Sequence, residues 1–164
     1  MTLAALSRRT GKALKRNGQL LVTAESCTGG WIAQAVTSVA GSSEWFERGY
    51  VTYSNAAKRD VLGVPEATLL RYGAVSEQTA RAMARGALLR WRGARPRRGG
   101  VVALAVTGVA GPGGGSPAKP VGTVCFAWAR GQRVRSETRR FRGARTKIRR
   151  ESVVHALRGV LRCL

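Results

Sequence analysis

The chain predicts an α/β protein, a three-layer α/β/α sandwich around a mixed, mostly parallel sheet, and three observations carry that expectation. Apolar runs of strand length alternate with amphipathic helical stretches. The predicted strands end in small, hydroxylated or glycine-rich turns, as βα units do. Two strand-like runs near the end meet at Arg130-Gly131-Gln132, which reads as a hairpin and adds an antiparallel margin to the sheet.

The elements follow in order. Leu3 to Lys15 reads as a basic amphipathic helix, Leu20 to Ala24 as a buried strand, and Ile32 to Val39 as the helix that closes the first βα unit. Gly41-Ser42-Ser43 breaks that helix. Arg48 to Tyr53 reads as the second strand, delivering Tyr53, Ser54 and Asn55 into a turn. Asn55 is the expected N-cap of a short helix, Ala56 to Leu62, which Gly63 ends. Pro65 opens another short helix to Leu70. Ser76 and Glu77 open a long one, in which Ala80, Met83, Ala84, Ala87, Leu88 and Trp91 recur at helical spacing and mark a core face. Gly93 to Gly100 reads as a basic, exposed loop before the strand Val101 to Val106. A glycine-dense loop from Thr107 to Ser116 comes next, then strands Val121 to Ala129 and Val134 to Phe141. Ile148, Val154, Leu157, Leu161 and Leu164 mark the packed face of a final helix. No internal repeat or linker interrupts this order, and 164 residues suit one domain, 1–164.

Composition narrows the function classes. A hydrophobic content of 44% argues against disorder, and no apolar run approaches the roughly 18 residues of a membrane-spanning helix. The N-terminus lacks a signal-peptide core, so a soluble, cytoplasmic protein with no membrane partner is expected. Three cysteines, Cys27, Cys125 and Cys163, are odd in number and far apart, which suggests neither a disulfide framework nor a zinc site. No cofactor is called for. The formal net charge of +21 draws polyanions, so nucleic acid stays open as a partner class. It is not favoured, because the arginines have little aromatic interleaving and no familiar nucleic-acid module appears. A phosphate-bearing small substrate profits from the same field. Apolar strand and helix faces predict a homo-oligomer.

Chemistry concentrates where the first strand runs into Glu25-Ser26-Cys27-Thr28-Gly29-Gly30. At a helix N-terminus, unpaired N–H groups and the helix dipole favour an anion or a developing oxyanion, so Ser26 reads as a nucleophile or part of an anion pocket. Ser26 or Thr28 acting only as a helix cap is the competing reading, and the motif alone leaves both open. Cys27 is either a rival nucleophile or a small buried side chain. The loop Thr107-Gly108-Val109-Ala110-Gly111-Pro112-Gly113-Gly114-Gly115-Ser116 lets backbone amides approach a ligand, yet it matches neither the phosphate-loop nor the dinucleotide fingerprint. If the strands preceding Ser26, Tyr53 and Thr107 are parallel, their ends converge on one sheet edge.

Five blocks, in order, resemble the CinA C-terminal domain family, specifically its stand-alone nicotinamide-nucleotide amidohydrolases. They are Ala24 to Gly30, Val51 to Lys58, Gly73 to Glu77, Thr107 to Gly115 and Lys119 to Val124. The resemblance implies deamidation of nicotinamide mononucleotide to nicotinic acid mononucleotide and ammonia, a recycling step in NAD metabolism. It implies Ser26 as nucleophile, with Lys58 and Tyr53 as partners. A protein of this fold that binds pyridine nucleotides or serves in competence without turnover, and a basic nucleic-acid-binding module, are the alternatives.

Such chemistry needs an activated nucleophile, a proton carrier and donors for an oxyanion. A lysine base must be neutral, and the first turn of a helix beside Arg59 is expected to lower the pKa of Lys58. Tyr53 is expected to relay a proton between serine and lysine or to donate to the leaving nitrogen. Backbone amides at Cys27, Gly29 and Gly30 are the oxyanion candidates, with Thr28 and Asn55 beside them in the pocket. Thr107, Gly108 and Gly111 are expected to hold ribose or phosphate, and Arg145 to complete the anion site. The resembled family usually carries an aspartate where Ala144 stands, which removes a partner expected for Arg145. Glu25 either orders the turn by accepting N–H bonds or is a solvated strand-end carboxylate. His155 reads as a packing or surface residue.

Overall fold

A computed structural model describes residues 1–91 and 99–164. Most of the expected loop from Gly93 to Gly100 therefore lies outside the described residues. The element order is α1 (Leu3–Arg16), β1 (Leu20–Glu25), α2 (Trp31–Thr37), β2 (Phe46–Val51), α3 (Asn55–Leu62), α4 (Glu66–Tyr72), α5 (Glu77–Arg90), β3 (Val101–Gly108), β4 (Thr123–Arg130), β5 (Arg133–Arg140) and α6 (Arg145–Cys163).

The sheet has the order β2-β1-β3-β4-β5. β1 lies parallel to both β2 and β3, while β3, β4 and β5 are antiparallel, so the mixed sheet and the hairpin are as the sequence predicts. Alternation along the buried strands divides the core. Leu21, Val102, Leu104, Val106, Phe126 and Trp128 face α1, α2 and α6. Val22, Ala24, Ala103, Ala105 and Ala127 face α3, α4 and α5. The second face is paved with alanine, and α5 answers with Ala80, Ala84 and Ala87, so helix and sheet approach closely. Gly86 extends the match: a Cβ there would overlap the Leu62 carbonyl.

Local signals set most boundaries. Ser76 Oγ accepts from Thr79 N at 3.1 Å and caps α5, and Gly63, at φ 67°, ends α3 in the left-handed conformation. Several expectations need correction. β2 ends at Val51 and not Tyr53, because its partner β1 stops at Glu25, which pairs with Val51, when the chain turns away at Ser26. Asn55 is not the N-cap of α3: Ser54 is, with its Oγ accepting from Ala57 N at 3.0 Å, and Asn55 is the first helical residue. Thr107 and Gly108 belong to β3 and not to the glycine loop, because β4 pairs with them. The buried line of α6 passes through Val153, Ala156 and Val160, with Val154, Leu161 and Leu164 only partly covered. Small residues draw that line toward the sheet: a Cβ on Gly159 would overlap the Trp128 ring, whose Nε1 donates to the Ala156 carbonyl at 3.0 Å.

Candidate active site

The turn after β1 is held from two sides. Ser26 N donates to the Val106 carbonyl at 3.0 Å, so the serine leaves the sheet at the carboxyl ends of β1 and β3. Glu25 folds back beneath the turn and is 1% exposed. Its Oε2 accepts from Thr28 Oγ1 at 2.7 Å and Ile32 N at 3.0 Å, and its Oε1 accepts from Ala33 N at 2.8 Å. The carboxylate thus caps α2, whose N-cap residue Gly30 has no side chain to do so. Of the two readings of Glu25, the ordering one holds. On the opposite side, Arg149 donates from Nε to the Cys27 carbonyl at 3.1 Å and from Nη2 to the Thr28 carbonyl at 2.8 Å. Arg149 was missed from the sequence, although it stands one helical turn after Arg145 and so shares its face.

This clamp reassigns several expected contacts. Ser26 is no cap of α2, and the fully buried Thr28 spends its hydroxyl on Glu25, which takes it out of ligand reach. Gly29 N donates to the Ser26 carbonyl at 3.0 Å, which removes it from the oxyanion candidates. The N–H groups of Cys27 and Gly30 have no backbone acceptor among the described residues. Burial pushes the Cys27 thiol up to about 12, so it is neutral at ordinary pH.

Lys58, 1% exposed, reaches Ser26 from α3. Its Nζ lies 3.1 Å from Ser26 Oγ and donates to the carbonyls of Thr52 and Tyr53, each at 3.0 Å. A neutral amine has two hydrogens and one lone pair. The carbonyls take the hydrogens and leave the lone pair facing the serine hydroxyl. Burial lowers the pKa of Lys58, so desolvation does what the sequence assigned to the helix dipole and Arg59.

Tyr53 is 63% exposed, and its hydroxyl accepts from Arg145 Nη2 at 3.2 Å. It does not stand between Ser26 and Lys58, which meet directly. The other Arg145 nitrogen, Nη1, donates to the Gly111 carbonyl at 2.7 Å and ties α6 to the glycine loop. Ser26, Lys58, Tyr53, Arg145 and Gly111 are therefore linked at the carboxyl end of the parallel strands. Asn55 sits exposed at the start of α3, next to that group. Thr107 and Gly108 do not join it. Thr107, 1% exposed, donates to the Ala74 carbonyl at 2.8 Å, and a Cβ on Gly108 would meet the Thr123 carbonyl at 2.8 Å. Both serve packing between the glycine loop, β4 and the turn before α5. His155 makes no hydrogen bond to the serine among the described residues: it contacts the Phe126 ring at 4.7 Å and Glu137 Oε1 at 2.6 Å.

Residues 3–164 match the CinA C-terminal domain. The chain belongs to the CinA C-terminal domain family. A curated family relative from Pseudomonas putida, nicotinamide-nucleotide amidohydrolase PncC, is 54% identical over 97% of this chain and 95% of its own length. The protein of that name from Escherichia coli K12 is 51% identical over 94% of this chain and 90% of its own length. Among solved structures, the competence/damage inducible protein CihA of Agrobacterium tumefaciens superposes with a TM-score of 0.89 at 48% identity, covering 98% of this chain and 94% of that one. Ala144 occupies the N-cap of α6 and offers no side-chain acceptor, so this helix begins without a side-chain cap.

Proposed function

We propose that this chain hydrolyses the carboxamide of nicotinamide mononucleotide, giving nicotinic acid mononucleotide and ammonia, with Ser26 as nucleophile and Lys58 as general base. One observation carries the mechanism: a buried lysine amine 3.1 Å from a serine hydroxyl, with its remaining hydrogens occupied by two carbonyls. The amidohydrolase name of the Pseudomonas and Escherichia relatives supports the substrate.

Neutral Lys58 takes the Ser26 proton as Oγ bonds to the carboxamide carbon. The oxyanion is met by the N–H groups of Cys27 and Gly30, held in place by Glu25 and Arg149. The C–N bond then breaks as the proton passes from the Lys58 ammonium to the departing nitrogen, with the Tyr53 hydroxyl donating a hydrogen bond to that nitrogen. Ammonia leaves and a serine ester remains. Water gives a proton to Lys58 as it attacks the ester carbon, and the Lys58 ammonium returns that proton to Ser26 Oγ as the acyl C–O bond breaks and the acid leaves. Arg145 and the loop at Gly111 hold the ribose phosphate. The enzyme is cytoplasmic and homo-oligomeric in this proposal, and the exposed Leu70 and Leu89, at 81% and 74%, support the oligomer alone.

The test is ammonia release from nicotinamide mononucleotide by the purified chain. Ser26→Ala abolishes release and leaves the thermal midpoint unchanged within a few degrees. Full activity in that variant rejects the serine mechanism, and an inactive wild type rejects the substrate.

A further inference from the structure

Two grooves flank the last turn of α6. One, of about 750 Å³, runs along α1 and is lined by Arg8, Arg9, Lys12 and Arg16 beside Leu161 and Leu164. The other, of about 920 Å³, lies against the β4-β5 hairpin and is lined by Arg130, Arg133, Arg135 and Arg162 beside Cys163. They adjoin at the last turn of α6 and together form a basic tract; neither lining includes an acidic side chain, although Glu137 pairs with Arg162 at 2.8 Å and with Arg135 at 3.9 Å.

Arg8, Arg9, Lys12 and Arg16 form none of the ion pairs seen among the described residues, although Arg8 and Lys12 border a groove with Glu44, which pairs with Lys15 at 2.7 Å. Arg8, Lys12 and Arg16 succeed one another every fourth residue, about 6 Å apart along the helix axis. Like charges at that spacing destabilise a helix, and an anionic partner relieves the repulsion. The tract lies away from Ser26: β4 ends at Arg130, paired with Val102 near the start of β3, so the hairpin marks the opposite end of the sheet.

We propose that this tract binds the phosphodiester backbone of a nucleic acid strand, through charge and not through base recognition. An extended row of cations fits a polyanion better than one small anion, which needs convergent donors. Of the 29 basic residues 24 are arginines, whose planar forks suit phosphate oxygens. Trp128 beside the second groove is 2% exposed, so it offers no stacking face for a base. A bilayer surface fits less well, because the apolar residues Leu6 and Leu14 of α1 point into the core and leave no apolar face to insert.

The test is fluorescence anisotropy of the full chain with labelled RNA and DNA single strands of mixed sequence, across a salt series. Either nucleic acid binding supports the tract, and the tighter one identifies the source. The logarithm of the association constant falls with the logarithm of salt at a slope of about −3 or steeper, as expected when at least the four cations of α1 each meet one phosphate of a single strand. R8Q/R9Q/K12Q/R16Q weakens binding about tenfold or more and flattens that slope, whereas R71Q/R85Q/R90Q/R140Q, which removes equal charge elsewhere, does far less. Glutamine is a good helix former, circular dichroism monitors the fold, and the single variant R9Q moves binding in the same direction. The proposal is overturned by no binding of either nucleic acid at about 0.15 M salt, by equal losses in the two quadruple variants, or by binding to anionic vesicles alone.

Discussion

Lys58 Nζ and Ser26 Oγ, separated by 32 positions in the chain, lie 3.1 Å apart at a site where both residues are buried. The contact exists because α3 begins within a few residues of the end of β2, so its first turn faces the carboxyl end of the neighbouring β1. A lysine held there keeps its amine against two carbonyls and the serine.

The pH profile follows from the lowered pKa of Lys58. The active form is the free amine, so kcat/KM rises with pH through the depressed value and levels off below the ordinary lysine value of 10.5. Stability responds with the same sign. Between the depressed and ordinary values the unfolded chain binds more protons than the folded one, so the Lys58 contribution to stability rises with pH there and is flat below. Lys58→Met removes the ascending limb and lowers kcat by about 10²- to 10⁴-fold, read from initial rates at several pH values.

Glu25→Gln keeps the shape of the carboxylate and loses its charge. One oxygen becomes an NH₂ donor facing either Ala33 N or Thr28 Oγ1 with Ile32 N, so donor meets donor. A loss of about 1–3 kcal/mol is expected in denaturant unfolding, with a fall in kcat as the Ser26 turn loosens. Unchanged stability and rate contradict the cap.

Cys27 is 6% exposed, and its thiol is pushed up to about 12 by burial. The folded protein therefore leaves Cys27 unmodified by iodoacetamide at pH 8, while the denatured chain reacts. Cys27→Ala retains most amidohydrolase activity. An inactive but folded Cys27→Ala variant revives the cysteine as the nucleophile.

Ala144→Asp supplies the acceptor that α6 lacks. A new cap at a helix N-terminus is worth about 1 kcal/mol, which for a domain of this size raises the thermal midpoint by about 2–4 °C. Calorimetry of the two proteins decides it, and an unchanged or lower midpoint counts against the cap.

The order of elements, the two-faced sheet, the turn at Gly63 and the cap at Ser76 were readable from the chain, because each depends on neighbours within a few residues or on simple alternation. So were the two residues of the Ser26 and Lys58 pair, through the blocks that carry the family resemblance. Tertiary structure decided the rest. The end of β2 depends on where its partner strand stops, and Thr107 turns to the Ala74 carbonyl, 33 positions away. Glu25 caps a helix seven and eight residues ahead, and Arg149 grips carbonyls more than a hundred positions behind it. The lowered pKa of Lys58 was expected from the chain, but its cause belongs to the same class. Burial is a property of the packed molecule, and no local spacing encodes how completely three layers of chain exclude water from one amine.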